Sequence, residues 1–402
     1  MFRFFCRVSS RVSAYAVGVL SQLLVVLLVT ACSGTEPLQS ALPTLHPIVE
    51  YQYESDGIKI SVPSADEPRV NQFGVASVEA AKRYLRDGAL AWVRERGCVN
   101  CHTTGPYMTE VPGLNKWLGE PLDEIHANFV SDIPKEIKAI NEVERKGHRY
   151  YPRSYYTVWR SAGLAEWDKH VTGKLSDATR RSLEDLFERQ SANGSFVTYG
   201  EVEVPHITTD FELTLQAARA VAAAPGWLES LDDQELLGKV GRMKDYLRKA
   251  EPKNDFDRVL LLQLSHYMPE LVSVERRQEA INLLWNKQHF DGGWSTRDMS
   301  KLDDWHYTIS SKVRKLVEGL PDADQPESDA YMTAFAIVLL RQGGVSSTDP
   351  RIQQGIAWLK CEQRESGRWW MHSLYRGNYH FTTYLATCQA LKALALCEEL
   401  PY

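Results

Sequence analysis

The sequence predicts an all-α fold between Val75 and Leu400 of its 402 residues. Apolar residues there recur three and four positions apart, as in VASVEAAKRYLRDGALAWVRER and DAYMTAFAIVLLRQGG, which is the spacing of one face of a helix. Convincing stretches of alternating polar and apolar residues are absent. Several helical stretches also end in a similar phrase, which indicates that the chain is built from repeats.

The repeated phrase combines an aromatic or leucine pair, a glutamine, a glycine-containing turn and a closing aromatic ring. It occurs as LLWNKQHFDGGW, as AWLKCEQRESGRW and, more weakly, as DLFERQSANGSF. We expect the glutamine amide to bond backbone groups at the helix end, the glycine to supply a left-handed turn, and the ring to pack over the next helix junction. The glutamines and their rings are Gln190 with Phe196, Gln288 with Trp294, and Gln363 with Trp369.

This phrase resembles the QW motif of squalene–hopene cyclases and their relatives, the terpenoid-cyclase and protein-prenyltransferase toroids. The resemblance covers about residues 75–400 and implies an α/α toroid with concentric inner and outer helices. A degenerate copy occurs at residues 243–256, and at 89–102 the segment GCVNCH stands in place of the expected turn. The resemblance also implies a central apolar cavity, which makes an apolar small molecule such as a lipid a candidate ligand.

The acid cluster of a class II terpene cyclase is missing from the chain. That family carries a DxDD segment ahead of an inner helix, and the matching stretch PESDAYMTAFAIVLL retains only Asp329. Adjacent acids at 231–235 and 302–306 lack a second matching cluster that would hold a metal diphosphate. We therefore expect no cyclase chemistry, and we expect Asp329 to cap the helix that begins at Ala330.

The N-terminus predicts export from the cytoplasm. Three arginines precede the apolar stretch AYAVGVLSQLLVVLLV. The residues VTAC that follow resemble a bacterial lipobox, which implies that residues 1–31 are a signal peptide and that Cys32 carries lipid. Ser33 after this cysteine implies an outer membrane rather than an inner one. The alternative is an uncleaved anchor, and both alternatives place the rest of the chain in the oxidising periplasm.

Residues 32–74 are predicted to be a tether, because this segment is rich in proline, serine and acidic residues. One short strand is expected within it, at Ile58–Val62. The toroid is then expected to occupy residues 75–402. Loss of residues 1–31 removes three arginines and no acidic residue, which moves the net charge from −6 to about −9. This balance excludes nucleic acid as a partner.

Residues 97–108, GCVNCHTTGPYM, contain a Cys-x-x-Cys-His motif. With 7 cysteines and 11 histidines in the chain, random placement yields about 0.003 such matches. Cys98 and Cys101 are spaced to form thioethers with the two vinyl groups of haem c, and His102 is then the proximal iron ligand. Zinc would need a second ligand pair, which the remaining cysteines do not form. A disulfide between Cys98 and Cys101 is the other alternative.

The sixth ligand of the iron has several candidates in the sequence. The segment 369–384, WWMHSLYRGNYHFTTY, resembles the cavity-mouth segment of the toroid family and by repeat position lies at the same end as the CxxCH motif. Arg376 within it is a candidate partner for a haem propionate. The candidate distal ligands are Met108, His126, His148, His372 and His380.

Three classes of function follow from these features. The first is a membrane-anchored, single-haem electron-transfer lipoprotein that exchanges electrons with a periplasmic redox partner. The second is a haem oxidoreductase that acts on an apolar substrate in the toroid cavity. The third is a lipid-binding or interaction lipoprotein without haem. The first two classes differ at the sixth coordination position of the iron. An iron with all six positions occupied transfers electrons, whereas an iron with an open sixth position can react with a substrate.

Overall fold

The protein is described here from a computed structural model, and the described residues are 51–145, 154–197, 209–304, 315, 317–372 and 380–401. Two strands, β1 (Tyr51–Ser55) and β2 (Ile58–Ser61), form an antiparallel hairpin. The helices that follow are α1 (Val75–Arg96), α2 (Thr104–Glu110), α3 (Asn115–Leu118), α4 (Asp123–Arg145), α5 (Ser154–Trp167), α6 (Asp177–Glu188), α7 (Asp210–Ala223), α8 (Gln234–Lys249), α9 (Asp255–Val259), α10 (Leu261–Tyr267), α11 (Val274–Asn286), α12 (Ala330–Gln342), α13 (Pro350–Glu362) and α14 (Phe381–Leu396).

The helices form two concentric rings. Helices α2, α5, α7, α10, α12 and α14 each contact the next one, and α14 returns to α2, so the inner ring is closed. Helices α7, α12 and α14 are buried around nearly their whole circumference. The outer helices α1, α4, α6, α8, α11 and α13 flank this ring, and α6, for example, buries one apolar face that includes Leu183 and Phe187. The predicted α/α toroid is therefore confirmed. The described residues contain no helix that is long and apolar enough to cross a membrane.

The inner helices run parallel to one another. Where they begin, the first residue of α14, Phe381, stacks on His102, which precedes α2. Where they end, Arg219 near the end of α7 bonds Glu110 and Glu166 at the ends of α2 and α5. We call these two faces of the ring the amino end and the carboxyl end of the toroid. The CxxCH motif lies at the amino end, together with the start of α14, as the repeat positions predict.

The repeated turn forms as predicted, and each of its glutamines has two backbone partners. Gln288 Nε2 donates to the carbonyl of Gly292 in its own turn and to the carbonyl of Arg351 in the next outer helix, both at 2.9 Å. Each turn thus ties one outer helix to the next. The other two sets are Gln190 with Gly194 and Lys239, and Gln363 with Gly367 and Ser77.

The glycine of each turn lies close to the neighbouring outer helix. Gly194, Gly292 and Gly367 all have positive φ angles, of 92°, 91° and 89°. A Cβ atom on Gly367 would lie 2.2 Å from the backbone nitrogen of Ala81 in α1. Glycine is therefore required both for the left-handed conformation and for the close approach of the two backbones.

The aromatic ring that closes each turn is completely buried. Its backbone N–H donates to a threonine hydroxyl of the following inner helix, at 2.9–3.1 Å, and this connects each outer helix to its inner partner. These threonines are not part of the repeated phrase, because they lie 18, 39 and 18 positions after the ring. The pairs are Phe196 with Thr214, Trp294 with Thr333, and Trp369 with Thr387.

The hairpin of β1 and β2 lies within residues 32–74, the segment that the sequence predicts to be a tether. After the hairpin, the chain runs along the last repeated turn, where Val70 N donates to the carbonyl of Gln363 at 2.9 Å and Glu365 N donates to the carbonyl of Pro68 at 2.8 Å. The composition of the segment indicates a tether because it contains few apolar residues. Its order comes instead from backbone bonds to residues that are far away in sequence.

Gln363→Ala tests the bond that closes the ring between the last turn and α1. Gln363 is completely buried, and its loss removes a donor from the carbonyls of Ser77 and Gly367. We expect the free energy of unfolding, measured by urea denaturation, to fall by about 1–3 kcal/mol. The matched control is Gln288→Ala, whose bond to Arg351 is exposed and whose loss is expected to cost less. Equal losses in the two variants would contradict this role of Gln363.

Candidate functional site

The CxxCH loop connects α1 to α2 and is rigidly held. Val99 is 1% exposed and anchors the loop in the core. The Asn100 side-chain oxygen accepts the backbone N–H groups of His102 at 3.0 Å and Thr103 at 2.6 Å. The Asn100 carbonyl accepts the N–H of Gly105, and a Cβ on Gly105 would lie 2.2 Å from that carbonyl oxygen. Because Asn100 and Gly105 determine the path of the backbone, the loop presents its side chains in one arrangement.

Cys98 and Cys101 are free thiols in partly exposed residues, and no disulfide joins them. Burial raises the pKa of Cys98 and raises the pKa of Cys101 to about 12. Both thiols are therefore protonated at neutral pH. A redox-active dithiol needs the opposite shift, since the thiolate is the reactive form. These two cysteines do not have the electrostatics of a thiol–disulfide exchange centre.

The His102 ring is clamped between two aromatic side chains and is 8% exposed. It stacks on Phe381 with a centroid distance of 4.2 Å and meets Trp92 edge-on at 4.6 Å. Its Nδ1 atom lies 2.8 Å from the hydroxyl oxygen of Thr103. The plane of the imidazole is thus fixed, and with Nδ1 bonded to Thr103 a metal ion held by this ring would be coordinated through Nε2.

Tyr53 of strand β1 adds a second layer to the site. Its hydroxyl lies 2.8 Å from Thr103 Oγ1, and its ring contacts Phe381 at 5.5 Å and Tyr384 at 5.8 Å between centroids. Tyr53 is not among the site residues predicted from sequence, because it lies in the segment predicted to be a tether. The one feature of the local sequence that could indicate such a hydrogen-bond partner is the hydroxyl of Thr103, which directly follows the motif histidine.

The donor set at this loop fits a c-type haem. Two thiols three residues apart are not consumed in a disulfide, and an imidazole beside them is held through Nδ1. Within the described ranges, no group of three or more histidine, cysteine, aspartate or glutamate side chains is arranged for a metal ion. The chemistry of the loop therefore agrees with covalent haem attachment better than with a four-ligand protein metal site.

Two of the predicted distal ligands lie away from His102. Met108 is completely buried, and its Cβ lies 2.7 Å from where a Cβ on Gly163 of α5 would be, so it packs between α2 and α5. His126 stacks on Trp167, the last residue of α5, at 4.5 Å. His126, on the outer helix α4, thus lies near the carboxyl end of the inner helices. Burial lowers the pKa of its side chain.

The other described candidates lie near the amino end. His372 is exposed and meets the ring of Trp370 edge-on at 6.2 Å. His380 directly precedes Phe381, which covers the His102 ring, and burial lowers the pKa of His380. Its carbonyl accepts a bond from the Gln52 amide at 3.0 Å. Cys32, His148 and Arg376 lie outside the described residues.

Four charged side chains at the carboxyl end form a buried network that was not predicted from sequence. Arg219, 3% exposed, donates to Glu110 and Glu166 at 2.7 Å each, and Lys392 donates to Glu110 at 2.6 Å. Burial alone would raise the pKa of Glu110, but Arg219 and Lys392 lower it to about 2. The pKa of Glu166 is also lowered, chiefly by Arg219 acting against burial. Two positive and two negative charges thus compensate one another inside the ring.

An open cavity of about 460 Å³ lies beside this network at the carboxyl end. Tyr267 lines it and also lies under the Arg219 guanidinium, 5.7 Å from ring centroid to carbon. Lys169, Lys244 and Glu270 contribute charged groups to the lining. Charged side chains thus border this cavity.

A serine, a histidine and an aspartate meet beside the second repeated turn. Ser328 Oγ lies 3.0 Å from His289 Nδ1, and His289 Nε2 lies 2.6 Å from Asp298. The Ser328 hydroxyl donates to Asp291 at 2.8 Å, so His289 must donate through both ring nitrogens. The Asp298 hydrogen bond correspondingly raises the pKa of His289. This cluster holds the turn with an imidazolium and does not activate Ser328 as a nucleophile.

Asp329 caps α12, as predicted. Its Oδ1 accepts the N–H of Met332 at 2.8 Å, and its Oδ2 accepts the N–H of Thr296 at 2.5 Å. Burial raises the pKa of Asp329, which makes it a weaker acid. Glu327 is exposed and the nearby acids Asp291 and Asp298 are engaged by Ser328 and His289. Both carboxylate oxygens of Asp329 are thus bonded to backbone amides, which is the arrangement of a helix cap.

No protein-family model and no curated protein matches the chain. The solved structures that are similar to it include two of one terpene cyclase. The type II terpene cyclase MstE from Scytonema, without ligand, aligns with a TM-score of 0.42 and 14% identity over 80% of this chain and 97% of that chain. A variant of the same cyclase in complex with its substrate, geranylgeranyl dihydroxybenzoate, aligns with a TM-score of 0.42 and 15% identity over the same shares. At this identity the likeness concerns the fold alone.

Asp329→Ala separates the capping role from acid catalysis. We expect the free energy of unfolding to fall by about 1–2 kcal/mol, because the cap of α12 is lost. The matched control is Asp233→Ala, which removes the exposed cap of α8. We expect this variant to lower the free energy of unfolding by no more than Asp329→Ala does. Incubation with squalene followed by analysis of the extract is expected to yield no cyclised product. A cyclised product that disappears in Asp329→Ala would contradict the capping interpretation.

Proposed function

We propose that the protein is an exported, membrane-anchored c-type haem protein that transfers electrons. Cys98 and Cys101 would hold the haem through thioethers, and His102 would bind the iron through Nε2. The observation that carries the proposal is the arrangement of the CxxCH loop. Its two thiols are free, and its histidine is clamped by Trp92 and Phe381 with Nδ1 engaged.

The rigidity of the loop suits electron transfer. A bound haem supplies a one-electron couple at this position. Asn100 and Thr103 hold the backbone and the imidazole, so the protein groups around the haem need to move little when its charge changes. Trp92 is partly exposed and donates its indole N–H to the Cys98 carbonyl at 3.2 Å, which brings the edge of the site towards the surface.

The charges of the chain support electron transfer over chemistry on an apolar substrate. The carboxyl end of the inner ring is occupied by Arg219, Glu110, Glu166 and Lys392, and burying an apolar molecule against paired charges gains little. The predicted mature chain carries a net charge of about −9. A periplasmic redox partner with a basic docking surface is complementary to that charge.

Expression with a haem-maturation system tests the proposal. We expect a red protein whose colour survives acid–acetone extraction, because thioether bonds hold the haem. Cys98→Ala is expected to leave one thioether, and His102→Ala is expected to keep the haem but change its ligation and its optical spectrum. Cys388→Ala is the matched control, since Cys388 is also a free cysteine but is buried in α14. A colourless wild-type protein under these conditions would contradict the haem assignment.

The lipid anchor at Cys32 is a separate part of the proposal. It is supported by the apolar stretch before VTAC, and all of these residues lie outside the described ranges. We expect mass spectrometry of the membrane fraction to find Cys32 as a modified N-terminus with diacylglyceryl and acyl masses, since two or more chains anchor firmly. The Cys32→Ser variant is expected to lack these lipid masses. An unmodified N-terminus beyond residue 33 would argue against the anchor.

A further inference from the structure

We infer that Tyr53, acting through Thr103, is a positioning residue that controls the reduction potential of the haem bound at His102. This inference rests on the proposed haem site and goes beyond it. Tyr53 contributes no iron ligand and lies on a hairpin outside the toroid repeats. Its influence would pass along a short chain of hydrogen bonds that ends at the proximal imidazole.

The hydrogen-bond chain is short and buried. Tyr53 OH lies 2.8 Å from Thr103 Oγ1, and Thr103 Oγ1 lies 2.8 Å from His102 Nδ1. The three residues are 3%, 0% and 8% exposed, so bulk water does not compete for these groups. Hydrogen bonds in such surroundings are electrostatically stronger than in water, and adjacent bonds polarise one another.

The proton positions along the chain follow from metal binding. With the iron on Nε2, the neutral imidazole carries its proton on Nδ1 and donates it to Thr103 Oγ1. The Thr103 hydroxyl, as an acceptor from Nδ1, donates its own proton to the oxygen of Tyr53. This second bond makes Thr103 a better acceptor. His102 then becomes the more basic ligand, which favours ferric over ferrous iron and lowers the reduction potential.

Thr103, in the middle of the hydrogen-bond chain, and the Tyr53 ring are held by contacts that a change in the Tyr53 hydroxyl would not disturb. Thr103 is fixed by the 2.6 Å bond from its N–H to the Asn100 side chain. The Tyr53 ring contacts Phe381 and Tyr384 at 5.5 and 5.8 Å between centroids. Tyr53→Phe therefore keeps the packing and removes the terminal acceptor, which separates a hydrogen-bond effect from a packing effect.

A matched control lies in the same aromatic cluster. Tyr84 is 5% exposed, and its ring contacts the same Tyr384 at 5.5 Å. Its hydroxyl donates to Gln52 at 2.9 Å. Tyr84→Phe makes the same chemical change in the same cluster but leaves the contact between Tyr53 and Thr103 intact. A second pair of variants acts on the middle of the chain, since Thr103→Ser keeps the hydroxyl and Thr103→Val removes it.

Redox titration of the haem-loaded, full-length protein and its variants tests the inference. We expect the midpoint potential to rise in Tyr53→Phe and to rise further in Thr103→Val. An upper value for Thr103→Val is a tenfold change in the ratio of ferric to ferrous affinity, which is about 59 mV for one electron. Thr103→Ser and Tyr84→Phe are expected to stay close to the wild-type potential.

The outcomes distinguish the two proposals. Unchanged potentials in both Tyr53→Phe and Thr103→Val, with haem bound, would overturn the inference and leave the haem site standing. An equal rise in Tyr84→Phe would also overturn it, because the effect would then come from the cluster as a whole. If Tyr53→Phe fails to fold, the comparison of Thr103→Ser with Thr103→Val decides. A wild-type protein without haem would overturn the proposed function, and the inference with it.

Discussion

The glutamine that bridges two backbone carbonyls is the interaction on which the toroid depends. The carbonyl groups of a turn have no partner in a helix or a strand, and where water is excluded they must find another one. Gln288 and its counterparts donate to one carbonyl of their own turn and to one of the next outer helix. In the last repeat, Gln363 reaches Ser77 of α1, so the same bond that builds the repeats also joins the last repeat to the first.

The CxxCH loop occupies the position of such a turn and is held by different means. It has the expected place between an outer helix and an inner helix, but Asn100 rather than a glutamine secures its backbone. Closure of the ring then brings side chains from distant parts of the chain to the loop. Phe381 comes from the last inner helix and Tyr53 from the hairpin ahead of the first. The environment of His102 is therefore a product of ring closure.

The two ends of the toroid differ in chemistry. At the carboxyl end, Arg219 and Lys392 compensate Glu110 and Glu166 in the interior, which is tolerable because each charge is paired and hydrogen-bonded. At the amino end, neutral aromatic rings surround one imidazole, and the nearby thiols stay protonated. An inner ring of buried helices separates these two environments. The fold thus keeps a strongly charged region away from the proposed redox site.

The sequence by itself determined the features whose partners lie within a few residues. Helical spacing, the bonds of Gln288 and Gln363 within their own turns, the Asp329 cap and the CxxCH motif all depend on contacts across about one helical turn, and such contacts leave a readable pattern. Only the tertiary structure decided the contact of Tyr53 with Thr103 and the network around Arg219. These join residues up to 282 positions apart, and neither local composition nor periodicity reports them. Closure of the ring is the physical reason, because it brings into contact residues that are far apart in sequence. The sequence around each of these residues contains no pattern that indicates its partner.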